Sequence, residues 1–296
     1  MQGTVDGFSY GLVTPVVAYL MACLGGALGL RCTTRSMLVA HSWRAGWLAL
    51  GSAAIGSGIW TMHFIAMMGF SVEETPVHYD KTLTFASLGV AIVMVGVGIF
   101  IVGYRGATGT ALFTGGTITG LGVASMHYLG MAGMRLNGKL EYNTFTVSVS
   151  VVIAVVAAIA ALWAAGQVRG FLWSVGASLV MGLAVSGMHY TGMAALTVHL
   201  HGTASSPPGD SPAALLAPMM IGPLVFLCLA GVVVMFDPLM VMGRPDWTPA
   251  EQKPGVPART AVPSGYTGHP GYSGHRPPLS GVPRPGHRGS RTPQNR

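Results

Sequence analysis

One short phrase occurs three times in the chain: Met62-His63-Phe64-Ile65-Ala66-Met67, Met126-His127-Tyr128-Leu129-Gly130-Met131 and Met188-His189-Tyr190-Thr191-Gly192-Met193. Each copy lies inside a long apolar run, where an ionisable side chain is costly and tends to be kept for function. The histidines are 64 and 62 residues apart (127−63 and 189−127), so the chain reads as a repeated unit with one imidazole and flanking thioethers per copy. Imidazole with soft sulfur and no carboxylate suits Cu(I) better than magnesium, calcium or manganese, and is less typical of zinc. Low dielectric favours neutral imidazole, the form that binds metal. Haem held between two of the histidines is the alternative cofactor.

On a helix turning 100° per residue, a methionine four places after a histidine shares its face. Met67, Met131 and Met193 are therefore the stronger thioether ligands. Met62, Met126 and Met188 point about 100° away and are poorer candidates for the same ion. Three places after each histidine stands a small residue, Ala66, Gly130 or Gly192, which lets helices approach closely. Such a pattern also serves plain helix packing, with each imidazole bonded to a neighbouring carbonyl.

The elements that must position these groups are membrane helices. Hydrophobic residues make up 51% of the chain and charged residues 8%, against about a quarter charged in soluble domains, and mean hydropathy is +0.55. Seven apolar stretches, 11–30, 46–70, 82–103, 111–134, 145–166, 170–196 and 214–236, contain no Asp, Glu, Lys or Arg and approach or exceed the ~20 residues that cross a bilayer. The expected fold is an all-α membrane protein of seven transmembrane helices, three two-helix repeats plus one. The first span, lacking basic residues ahead of it and a cleavage site after it, is expected to stay as a helix. Cys23, Cys32 and Cys228 lack metal-type spacing and read as small buried hydrophobes.

Arginines 31, 35, 44, 105 and 169 fall in one set of connections and most acidic residues in the other, so the positive-inside rule predicts the N-terminus outside and the C-terminus inside. Spans two, four and six then run outward, and their histidines reach one depth near the outer surface. Helix pairs that return to the same side make parallel repeats about an axis along the membrane normal. If the motif faces point inward, three imidazoles meet. The membrane domain is expected over 8–240. Residues 243–296, rich in Pro, Gly, Ser and Arg, are expected to form a disordered basic cytoplasmic tail.

The triplicated phrase, of which Met188-His189-Tyr190-Thr191 is the full form, resembles the eponymous motif of the MHYT domain, an integral membrane sensor module of bacteria. The resemblance covers about residues 8–240, with Phe64 standing where tyrosine is usual and Ile65 and Leu129 where the third copy has Thr191. It implies a plasma-membrane sensor of oxygen, carbon monoxide or nitric oxide through copper held by the motif residues. Such modules are often fused to a cytoplasmic signalling domain. No fused output pattern follows here, so a separate cytoplasmic signalling protein is the expected partner, alongside lipid and a small gas ligand.

Other functions fit less well. A copper transporter would need ligands continuing inward, and spans three, five and seven offer few besides Met94, Met219 and Met220. A retinal protein needs a buried lysine and carboxylates. No nucleophile with a base, paired acids or cofactor loop marks an enzyme, and nothing points to nucleic acid.

Overall fold

The computed structural model describes residues 3–7, 9–167, 171–200 and 212–237; the tail expected at 243–296 lies outside them. Among the described residues the fold is all-α apart from short ribbons, with seven helices: α1 Val13–Leu38, α2 His41–Met68, α3 Lys81–Arg105, α4 Gly109–Ala132, α5 Thr144–Gln167, α6 Phe171–Ala194 and α7 Pro212–Met235. Six are long and apolar enough to cross a membrane. The exception, α4, has the length, but six glycines and four threonines dilute its apolar content.

Each of α1 to α6 packs on the next and α6 returns to α1, which closes a ring of six, while α7 lies against α2 and α1. α2 is the most enclosed, with every residue from 54 to 67 buried. The α1/α2 contact depends on two glycines. A Cβ on Gly25 would come within 2.7 Å of the Gly58 Cα, and one on Gly58 within 2.6 Å of the Gly25 Cα. Without side chains there, the two backbones touch and dispersion contacts accumulate along both helices.

The sequence reading placed Arg31 and Arg35 in a connection, whereas α1 runs on to Leu38. Its polar last turns satisfy their hydroxyls within the helix: Thr33 Oγ1 donates to the Gly29 carbonyl, Thr34 Oγ1 to Leu30 and Ser36 Oγ to Thr33. Arg35 also meets a buried partner, its Nε 2.6 Å from Asp237 Oδ2 just beyond α7. The turn to α2 is consequently only two residues long.

Three antiparallel ribbons, absent from the sequence reading, gather at the histidine end of the bundle. β1 Val5–Asp6 pairs with β2 Ser71–Val72, β3 His78–Tyr79 with β4 Met134–Arg135, and β5 Gly138–Tyr142 with β6 Leu196–Leu200. Each joins the strand before an odd helix to the strand after the following even one. One hydrogen bond recurs beside them: Ser9 N–H to the Gly69 carbonyl (3.0 Å), Asp80 to Gly133 (2.8 Å) and Asn143 to Ala195 (2.9 Å). In all three the acceptor lies six residues after the histidine.

Candidate metal centre

His63, His127 and His189 stand in the penultimate turns of α2, α4 and α6, each preceded by an apolar stripe on the same face. One turn earlier come Ile59, Val123 and Val185, and two turns earlier Ile55, Thr119 and Met181. All six line one cavity of about 50 Å³ to which α1 to α6 all contribute. The stripe thus faces the bundle interior, and the histidines continue it toward the ribbons.

The three rings are 1%, 1% and 2% exposed. Their Nδ1 atoms form a triangle, 3.0 Å from His63 to His189, 3.2 Å from His127 to His63 and 3.3 Å from His189 to His127. Ring centroids are 4.9 to 5.1 Å apart, with each pair of planes crossed at 75° to 88°. Every ring also meets the aromatic that follows it edge to face: Phe64 at 4.6 Å, Tyr128 at 4.8 Å and Tyr190 at 4.9 Å. Phe64 therefore keeps the ring contact although it lacks the phenol. Tyr128 adds a 2.6 Å bond between its hydroxyl and Ser150 Oγ on α5, while Phe64 packs on Trp60, whose indole N–H donates to the Thr84 carbonyl on α3.

The triangle is incompatible with hydrogen bonding alone. A neutral imidazole nitrogen is either a donor or an acceptor, and three atoms divided between two kinds always leave one like pair. A cation at the centre removes the conflict, since all three lone pairs then point at it. With edges near 3.2 Å, the centre lies about 1.8 Å from each nitrogen (edge divided by √3), just under the ~2.0 Å of a metal–imidazole bond. A small shift off the plane meets that length, so the donor set fits a metal ion. No carboxylate or thiol among the described residues joins the group.

The small residues at the third position after each histidine have a specific place. A Cβ on Gly130 would lie 2.6 Å from His63 Nε2, and one on Gly192 2.5 Å from His127 Nε2. Each glycine presses on the imidazole of the preceding copy, and both Nε2 atoms are buried without a hydrogen-bond partner. The sequence showed the glycines but not their target.

The methionines divide. Met67 and Met193 line a pocket that includes His189, Tyr190 and Phe70 and opens toward the first ribbon. Met188 lines the cavity on the other side of the histidines. Met62, Met126 and Met131 are buried in the core. The fold thus joins the three imidazoles directly and puts two of the strong thioether candidates beside one of them.

Comparison with known proteins agrees with this architecture. Residues 56–115 and 120–178 match the MHYT family, described as a bacterial signalling protein N-terminal repeat; each segment holds one histidine motif. The chain is 38% identical over 192 residues to the bifunctional diguanylate cyclase/cyclic di-GMP phosphodiesterase MucR of Pseudomonas aeruginosa, covering 63% of this chain and 28% of that protein. It is 30% identical over 209 residues to the signaling protein YkoW of Bacillus subtilis, covering 68% and 26%. The cyclic di-GMP phosphodiesterase NbdA of Pseudomonas aeruginosa is 32% identical over 211 residues, covering 67% and 26%. The chain spans roughly a quarter of the length of these relatives. No solved structure matches it. With two family matches in register on its histidine motifs and signalling proteins as its relatives, the chain belongs to the MHYT family and is a multi-pass bacterial membrane protein.

Proposed function

We propose that the chain is a membrane-embedded sensor in which His63, His127 and His189 hold one copper ion. A diatomic gas (oxygen, CO or NO) or a change in redox state at that ion is the signal. The observation that carries this reading is the buried Nδ1 triangle, whose contacts can all be favourable only around a cation. Copper is favoured over zinc because no carboxylate or thiolate among the described residues joins the group and thioethers are close by; Met67 and Met193 would complete the shell, with Met131 as third candidate and Met62, Met126 and Met188 behind them. Bound copper would supply a redox-active, gas-binding centre. The protein's own part is to converge the rings, exclude water and keep each imidazole neutral.

The bundle is read as three parallel two-helix repeats, α1–α2, α3–α4 and α5–α6, with α7 added. The ribbon end faces outward and the C-terminus the cytosol. This orientation is supported by the arginine distribution. A signal requires that the liganded ion prefer one of two bundle states. Since MucR and NbdA are named as cyclic di-GMP enzymes, the output is inferred to be cyclic di-GMP turnover by a cytoplasmic signalling partner.

Haem is disfavoured because rings in mutual edge contact leave no space for a macrocycle between them. Transport is disfavoured because the cavity beyond the histidines is walled by apolar side chains. The decisive experiment measures copper in the purified chain and in His63→Ala, His127→Ala and His189→Ala. One ion per chain, lost in each variant, is expected; equal copper in wild type and variants overturns the reading.

A further inference from the structure

We infer that the cavity beneath the histidines is a docking site for a small apolar gas, filled from the lipid through a groove between α5 and α6. This deepens the sensing reading, on which it rests for its purpose, while its occupancy rests on the cavity alone.

The cavity begins at Met188, adjacent to His189, and descends past the Ile59, Val123 and Val185 layer and the Ile55, Thr119 and Met181 layer to Leu30 and Ala165. At about 50 Å³ it exceeds the ~10–15 Å³ that a cavity needs on the same measure to hold one water and is too small for an acyl chain. Its chemistry argues against water. An ordered water needs two to four polar partners, and the lining offers two hydroxyls. Thr33 has its one hydrogen committed to the Gly29 carbonyl and can only accept, and Thr119 Oγ1 is buried without a partner, so the two hydroxyls together reach at most the lower end of that range. Every other lining residue is aliphatic or methionine. Cavities of this kind stay dry and accept apolar guests such as xenon.

A groove between α5 and α6 shares Ala157, Ala161 and Met181 with the cavity and continues to Trp163, Trp173 and Gly176. Its walls are mostly alanines and glycine, and Trp163, Leu172, Trp173 and Val180 along it are exposed on the apolar surface. A nonpolar diatomic that dissolves in the hydrocarbon therefore meets an apolar groove that borders the cavity at Ala157, Ala161 and Met181, away from the ribbons.

The test uses xenon with the purified full chain in lipid nanodiscs, followed by ¹²⁹Xe NMR. Saturable binding to one site is expected in wild type. Ala158→Leu, which fills the cavity, is expected to weaken it at least ten-fold, as is the milder Val123→Ile by several-fold if the first variant does not fold. Gly176→Trp, on the groove where nothing lies within 4 Å of an added Cβ, is expected to slow xenon exchange at unchanged occupancy. Absence of a saturable site, or equal affinity in the filled variants, overturns the docking site; unchanged exchange in Gly176→Trp overturns the route. Copper analysis of the same samples separates the two readings. Xenon binding in a chain that takes no copper leaves the cavity standing and removes the sensor, and copper without xenon does the reverse.

Discussion

Gly130 lies against the imidazole of His63, close enough that a Cβ would stand 2.6 Å from Nε2 and 3.2 Å from the Phe64 ring. His63 cannot yield freely, because its other ring nitrogen is held in the triangle. In Gly130→Ala the overpacking of about 1–3 kcal/mol outweighs the ~1 kcal/mol that alanine contributes to a helix. The expected outcome is a folded protein of lower melting temperature whose copper affinity falls at least ten-fold. Unchanged copper titration would remove the positioning role assigned to Gly130.

The unresolved like pair among the Nδ1 atoms predicts an inverted stability effect. With the His127 ring gone, His63 and His189 can form one proper donor–acceptor pair at 3.0 Å, so no buried partner is stranded and the usual loss of about 1–3 kcal/mol for an orphaned group is avoided. His127→Leu should therefore change the stability of the chelator-treated protein by less than about 1 kcal/mol, or raise it, while abolishing copper binding. Thermal unfolding in the presence of chelator measures this. A large loss of stability would mean that the rings hold the helices together without metal.

At the other end of the bundle, Arg35 and Asp237 form an ion pair with side chains 12% and 6% exposed. Removing one partner of such a pair strands the other charge, at roughly 3–5 kcal/mol. Asp237→Ala is accordingly expected to lower the melting temperature markedly without altering copper content, which distinguishes it from changes at the histidines. Calorimetry with metal analysis checks both halves.

Asp80 caps α3, accepting from the Leu83 N–H at 3.1 Å. That bond holds its carboxyl below the ordinary value, with Arg135 helping from 3.6 Å. A carboxyl depressed in the folded state stabilises above its unfolded pKa, and that contribution is lost as pH falls through the folded value. Melting temperature should decline on acidification below the usual carboxylate range, and Asp80→Asn, which still caps but does not titrate, should decline less. Parallel curves would assign the acid response elsewhere.

Much of this arrangement was legible in the residues. The spacing of His63, His127 and His189 put one imidazole at a like position in each of three apolar runs, and the triangle then follows if one face turns inward. What periodicity could not reveal is which ring nitrogen points inward, because that depends on side-chain rotamers and on neighbours such as Gly130 and Gly192, which lie against the Nε2 side of His63 and His127. Two of the ribbons were missed since β1 to β4 are two residues each, too short for an alternating pattern; the third, of five-residue strands, lies in segments that read as connections between apolar runs. The end of α1 was misplaced because Arg35 reads as a loop charge until Asp237, some two hundred residues on, is seen to neutralise it.

The three ribbons, with the recurring bond from Ser9, Asp80 and Asn143, have a mechanical consequence. They fasten α1 to α2, α3 to α4 and α5 to α6 beside the histidines, which holds each pair together at that end. A helix of 24 residues, the length of α6, is about 36 Å long, and a two-degree rotation about its fastened tip sweeps the opposite tip by roughly 1 Å. Held at that end, such a rod would carry a sub-ångström rearrangement of the three rings to its far tip as the larger displacement, toward the end where Arg35 of α1 clasps Asp237 beyond α7.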